Sequence, residues 1–283
     1  MSRSGGALTS VAESGLEQSK TAYRLAPMPS AESGVSVSET SYGFAKRLDF
    51  IRDVIARRSA SLPNRVRVLD VGCGTGNLVA YPLALEGHEV LAIDTHGPSI
   101  EYARKRFGAL RNLTFKTLRV EECKAASFDV VICSEVLEHV DPVEPFFAAV
   151  RRTMAPGGVL VATVPNGLGL FEMQNWVWRH VFEDRWLHRQ LHRWHHRRER
   201  DMSAHAFLTD ASPHVNFFRV QDIARLARTE GLRIHRYRGR TFACGLVADR
   251  FFFIPGLTRL NTWLGDVLPA GAVSGWMFEL CEI

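Results

Sequence analysis

Lysine is scarce in this chain: the 35 basic residues comprise 30 Arg and 5 Lys, set against 30 Asp and Glu. Cysteine is scarce too. Five residues, Cys73, Cys123, Cys133, Cys244 and Cys281, are odd in number, and no two are spaced C-x-x-C. That excludes a disulfide scaffold or a zinc ribbon and suits a reducing compartment. No apolar run reaches the roughly 20 residues of a membrane span; the nearest, Phe251 to Phe278, is broken by Pro255, Arg259, Asp266 and Pro269. No apolar signal segment stands at the N-terminus, so a cytoplasmic location is expected. Glycine and proline together number 34 of 283 residues, and 23% are charged, which excludes collagen-like and wholly disordered classes. What remains is an ordinary globular chain, long enough for one large domain or two small ones.

Residues 1–43 are rich in Ser, Gly and Glu without a sustained period and predict a flexible tail. The globular domain is expected over 44–283. Phe44, Leu48, Ile51 and Ile55 recur at helical spacing behind a cap at Ser41. Strand and helix then alternate: strands at 66–70, 89–94, 113–118, 128–133 and 159–164, and helices at 77–86, 98–107 and 142–154, the last stopped by Pro156-Gly157-Gly158. Short, almost wholly apolar strands of this kind need helices on both faces, so the pattern predicts a doubly wound, parallel α/β sheet. The alternation breaks at 167–213, a Trp-, His- and Arg-rich insert. It resumes with a helix over 220–230 and a strand over 232–238. A second insert, 243–273, is apolar but irregular, and 274–281 reads as a last strand.

The stretch that carries chemistry is Val68-Leu-Asp70-Val-Gly72-Cys73-Gly74-Thr-Gly76-Asn77, with Asp94 ending the next strand. Glycines in a first strand-to-helix turn let backbone approach a ligand closely, and an acid 22 residues beyond Gly72 is placed to reach a ribose diol. A nucleoside-type ligand follows. A nicotinamide dinucleotide does not, because Asn77 occupies the position of the third glycine in G-x-G-x-x-G and Asp70 would repel a pyrophosphate. That same carboxylate favours a ligand carrying an ammonium and a sulfonium; one such pair at about 4 Å and an effective dielectric near 20 gains about 4 kcal/mol before desolvation. No G-x-x-x-x-G-K-[ST] occurs, so a Walker loop is excluded.

Four blocks in order now bear on the family: the glycine turn with Asp70, Ala-Ile-Asp94, Phe128-Asp-Val-Val-Ile-Cys-Ser134-Glu135-Val-Leu-Glu138-His139-Val140, and Ala155-Pro-Gly-Gly158-Val-Leu. Together they resemble the class I S-adenosylmethionine-dependent methyltransferases, and within them the ubiquinone-biosynthesis-type O-methyltransferases, over about 66–166 and more weakly over 214–240. The resemblance implies a Rossmann-like seven-stranded sheet whose last strand is antiparallel, with S-adenosylmethionine as cofactor. It implies that Gly72, Cys73, Gly74 and Gly76 line the methionine moiety and that Asp70 orients its amino group. Asp94 would take both ribose hydroxyls, Val120 and Glu121 would flank the adenine, and Ser134 and Glu135 would close over the methionine end. Asp70 as a cap of the turn and Glu121 as a solvated acid are the plainer alternatives.

Methyl transfer is an in-line displacement, so aligning acceptor and donor supplies most of the effect. A hydroxyl acceptor of high pKa also needs a base or a metal. His139, after the fourth strand, and His214, after the first insert, are the candidate catalytic residues; His139 could instead shape the pocket floor, and His214 could be a loop histidine. No metal site is assigned. In the first insert, His188, His192 and His195 share a helical face but lack a carboxylate partner. The insert reads as a helical lid over the crevice, and its arginines and tryptophans also fit a peripheral membrane contact.

The expected reaction is therefore methyl transfer to a small-molecule or lipid-linked acceptor, at a hydroxyl oxygen. Nitrogen or carbon acceptors remain open, because a fold does not fix the acceptor atom. An RNA methyltransferase using the Arg/His/Trp insert is the third alternative, although nucleic acid is disfavoured by a net charge of only +5. Seven arginines against Glu183, Asp184 and Glu199 within 179–200 account for +4 of that charge, so the basicity belongs to the insert and the remainder is near neutral.

Overall fold

The computed structural model describes residues 43–62, 65–167, 169, 214–243 and 255–283. All of them fall in one of the chain's two compact units, Gly34–Val181 with Pro213–Ile283. The tail, Ser41 and nearly all of the 167–213 insert lie outside the described residues, as does 244–254 of the second insert.

In chain order the elements are α1 (Phe44–Ser59), β1 (Arg67–Val71), α2 (Ala80–Leu85), β2 (Glu89–Asp94), α3 (Gly97–Phe107), β3 (Leu113–Thr117), β4 (Phe128–Ser134), α4 (Val143–Thr153), β5 (Met154–Pro165), α5 (Val220–Thr229), β6 (Leu232–Gly239), α6 (Pro255–Val267) and β7 (Gly275–Glu282). The seven strands form one sheet in the order β3-β2-β1-β4-β5-β7-β6. The first five run parallel. β7 pairs antiparallel with β5 and with β6. The doubly wound sheet with an antiparallel last strand is thus the observed fold.

Each buried strand feeds two cores, as a period of two requires. Val68, Val130, Ile132, Val159 and Val161 point to the face covered by α1, α2 and α3. Leu69, Val71, Val131, Cys133, Leu160 and Ala162 point to the face covered by α4 and α5. Two elements differ from expectation. Residues 255–267 of the second insert form a helix packed on β6, where the sequence pattern reads as irregular because Pro255-Gly256 stands at the helix start. β5 begins at Met154, ahead of Pro156-Gly157-Gly158, and crosses that triplet with a register shift against β4. Gly157 takes φ +66°, and a Cβ on Gly158 would lie 2.8 Å from the Ala155 carbonyl oxygen, so the triplet bends the strand without ending it. Among the described residues no helix is long and apolar enough to cross a membrane.

Strand order reverses direction between β1 and β4, the switch point at which open α/β sheets bind ligands beyond the carboxyl ends of their strands. Those ends are Val71, Asp94 and Ser134. Charge ties α1 to the far edge of the same sheet: Glu279 of β7, 6% exposed at its side chain, pairs with Arg57 at 2.6 Å and with Arg236 of β6.

Candidate methyl-transfer site

The turn after β1 is built on three glycines at positive φ: Gly72 (+69°), Gly74 (+55°) and Gly76 (+72°). An L residue there is strained, and a Cβ on Gly72 would lie 2.5 Å from Val136 Cγ2. The turn is pinned from β2. Cys73 N–H donates to the Ile93 carbonyl at 3.0 Å, and Gly74 N–H donates to Asp94 Oδ2 at 2.8 Å. The other Asp94 oxygen accepts the His96 N–H at 2.8 Å, where α3 begins. Each carboxylate oxygen keeps a second lone pair for an incoming hydroxyl.

Asp70, at the end of β1, is 2% exposed, and its Oδ2 has no hydrogen-bond partner in the structure. Burial, and then the charge of Asp94, push its carboxyl up to about 7; Arg47 and the Ala80 N–H act in the opposite direction. A buried, unsatisfied carboxylate oxygen beside an open backbone turn fits a ligand that brings a cation. Of the residues placed beside the adenine, Val120 is buried and Glu121 is solvent-facing, 3.5 Å from Arg119.

At the end of β4, Ser134 Oγ lies 3.2 Å from Thr163 Oγ1. Glu135 follows at φ +58°. Its carboxylate accepts the Thr163 hydroxyl at 2.8 Å and an Arg240 N–H, and it lies 3.9 Å from Arg47. Burial opposes its ionisation, but the guanidiniums of Arg240 and Arg47 hold its carboxyl down to about 2. Glu135 therefore stands at the site as a committed anion.

Glu138 is its opposite. It is 1% exposed, and neither side-chain oxygen has a hydrogen-bond partner in the structure. Burial, and then the neighbouring Glu135 charge, push its carboxyl well above the ordinary range. His139 ends the short 3₁₀ turn Leu137–His139, and its ring stands edge-on to that of His214, with centroids 5.0 Å apart. Glu138, His139 and His214 each present a ligand atom, all within 4.8 Å of one another, the kind of donor set that holds a divalent cation. The two histidines, 75 positions apart in sequence, are thus brought together.

Sequence reasoning overlooked Arg47, Arg240 and Thr163. Arg47 left a signal: it lies three residues after Phe44 and four before Ile51, on the apolar face of α1, and it is 4% exposed. Glu135-x-x-Glu138-His139 also marks itself, as two acids and an imidazole in the turn beyond a ligand-binding strand. Arg240 left none, since nothing local ties it to a partner 105 positions away.

A family model described as a methyltransferase domain matches residues 44–237. The ubiquinone biosynthesis O-methyltransferase of Rickettsia canadensis is 37% identical over 124 residues, covering 42% of this chain and 51% of the relative. The mitochondrial ubiquinone biosynthesis O-methyltransferase of Mus musculus is 36% identical over 132 residues, covering 42% and 35%. The chain thus spans about half the length, or less, of these curated relatives. In fold it is similar to magnesium protoporphyrin IX methyltransferase from Synechocystis PCC 6803 with bound SAH (TM-score 0.52, 15% identity, 95% of each chain). It is also similar to a putative sarcosine dimethylglycine methyltransferase from Galdieria sulphuraria (TM-score 0.54, 12% identity, 84% and 85% covered).

Proposed function

The chain belongs to the methyltransferase domain family and is an S-adenosylmethionine-dependent enzyme, and from that premise we propose that it methylates a hydroxyl oxygen of a small-molecule or lipid-linked acceptor. When bound, the cofactor supplies an electrophilic methyl group on a sulfonium. The chain's residues do the rest. The turn at Gly72, Cys73, Gly74 and Gly76 offers its backbone to the methionine moiety, and Asp70 receives the ammonium that its unpaired oxygen lacks. Asp94, already holding the turn in place, accepts the ribose hydroxyls. Val120 supports the adenine from its buried position, with Glu121 at the rim. Ser134 and Glu135 frame the methionine end, Glu135 through the salt bridge that fixes Arg240 there.

The observation that carries the oxygen acceptor is the Glu138, His139 and His214 group beyond β4. A hydroxyl is a poor nucleophile until its proton is removed or its oxygen is bound to a cation. Two imidazoles standing edge-on, centroids 5.0 Å apart, supply the first route, with His139 or His214 taking the proton. The same three side chains, whose ligand atoms lie within 4.8 Å of one another, would hold a divalent cation, which would supply Lewis-acid activation of the acceptor hydroxyl. The ubiquinone biosynthesis O-methyltransferases named among the relatives add support for oxygen as the acceptor atom.

The test is transfer of labelled methyl from S-adenosylmethionine to three probes: catechol, a primary amine and bulk tRNA. Transfer to catechol is expected, with kcat reduced by about 10²-fold or more in His139→Ala and His214→Ala. Near-normal turnover in both variants, or transfer confined to the amine or the tRNA, would sink the proposal. Loss of activity in EDTA, restored by Mg²⁺ or Mn²⁺, would select the cation route over the base.

A further inference from the structure

His139 belongs to a short 3₁₀ turn, and such a turn leaves carbonyls without partners inside it. His214 opens a segment, 214–219, that is neither helix nor strand, so its backbone groups must also find partners elsewhere. The two deficits meet. Val215 N–H and Asn216 N–H both donate to the Glu138 carbonyl, at 2.8 and 3.1 Å. The Asn216 side-chain amide then donates to the Leu137 carbonyl at 3.1 Å and to the Val140 carbonyl at 2.6 Å, one on each side of Glu138-His139. Both hydrogens of the amide are used, and its two acceptors bracket the residues of the site. From the other side, Gly167 N–H donates to the Phe218 carbonyl at 3.0 Å. A Cβ on Gly167 would lie 2.6 Å from the Phe217 carbonyl carbon, so only glycine lets the segment seat this closely.

We propose that Asn216 is a positioning residue: its side-chain amide holds His214 against His139, and it thereby sets turnover without setting cofactor affinity. This rests on the assignment of the histidine pair to methyl transfer. Asn216 acts through the two imidazoles: its side-chain amide bonds to the turn at Leu137–Val140, whereas the glycine turn is pinned by Ile93 and Asp94 of β2. Small misplacements of reacting groups are costly in rate, up to about 10²-fold for about 1 Å.

Two variants test it. Asn216→Asp keeps the shape, removes both donors and sets a carboxylate against two carbonyls; Asn216→Ala removes the donors without adding charge and stands in should the first fail to fold. In either, kcat with catechol is expected to fall about 10- to 100-fold, while the calorimetric Kd for S-adenosylmethionine stays within about threefold of wild type. A readout independent of activity accompanies this. In chelator-treated protein, His139→Gln should move the ring resonances of His214, because an edge-on ring with its centroid 5.0 Å away imposes a ring-current shift. In the Asn216 background the same replacement should leave them in place. A persisting ring shift, an unchanged kcat, or a parallel loss of cofactor binding and kcat would each overturn the proposal. If the ring shift is lost but the wild-type enzyme methylates no hydroxyl probe, the positioning role stands and the oxygen-acceptor reading alone falls.

Discussion

Replacing Asp70 by Asn should make the cofactor-free protein more stable above neutral pH and a poorer ligand for S-adenosylmethionine. The Asp70 carboxyl is raised from 3.8 to about 7 in the folded protein, chiefly by burial. A group raised on folding holds its proton more tightly in the native than in the unfolded chain. Its contribution is therefore intact below the unfolded value and lost as pH climbs through the folded one. About 3 pKa units at ~1.36 kcal/mol each put the loss at about 4 kcal/mol once Asp70 is ionised, and at 2% exposure solvent does little to reduce it. Asn cannot ionise. The stability gap between Asp70→Asn and wild type should grow by about 2 kcal/mol between pH 5.5 and 7 and flatten above about 7.5. Any difference in how the amide is seated adds only a constant, so the slope is the signal. Urea unfolding of the cofactor-free protein across that range measures it. Binding runs the other way. An ammonium beside Asp70 favours the ionised form, so the wild-type Kd should weaken about tenfold per pH unit below 7, and the slope should vanish in Asp70→Asn. A stability gap that does not change with pH, or an equal binding slope in the variant, would refute the reasoning.

Gly72→Ala places a Cβ at φ +69° and against Val136, so it should cost about 1 to 2 kcal/mol of stability and raise the S-adenosylmethionine Kd by more than tenfold, as read by denaturation and calorimetry. Asp94→Ala removes the carboxylate that accepts both the Gly74 and the His96 N–H; cofactor affinity should fall about 10- to 100-fold in calorimetry, and an unchanged affinity would overturn its assignment to the ribose. Arg240→Met strips Glu135 of its main counter-charge and should cost about 2 to 3 kcal/mol in urea unfolding. That is less than for a fully buried pair, because Glu135 retains 27% side-chain exposure.

The parallel half of the fold is legible in the sequence because strands covered on both faces must be apolar at nearly every position, as Val68, Leu69, Val130, Val131 and Ile132 are. The glycine turn and Asp94 are legible because their chemistry is local. Order within the sheet is less so: β7 lies between β5 and β6, and no residue of β7 advertises which edges it joins. Buried charge is the other blind spot. Nothing in the sequence around Lys46 marks it as buried, yet it is 8% exposed and reaches the Arg240 and Thr262 carbonyls at 2.8 and 2.9 Å. Its partners come from the distant end of the chain, and periodicity carries no information about contacts of that range. The histidine pair lies between these cases. Each member is visible by its position after a strand or an insert, but the hydrogen bonds of Asn216 that join them are not.

The place of β7 bears on how the molecule is made. β6 bonds to β7 and, among the described residues, to no other strand, while β5 meets β7 on the side away from β4. During synthesis β6 therefore emerges before the strand that can join it to the sheet exists. Until then β5 presents an open edge next to an unpaired β6, a state prone to mispairing. The five parallel strands, with Asp70 and Asp94 among them, can assemble first. Arg240 follows β6 directly, and its backbone N–H donates to Gly275 of β7 at 2.9 Å, so the counter-charge for Glu135 arrives with the closing strand. Completion of the sheet and electrostatic completion of the site are in this sense one folding event.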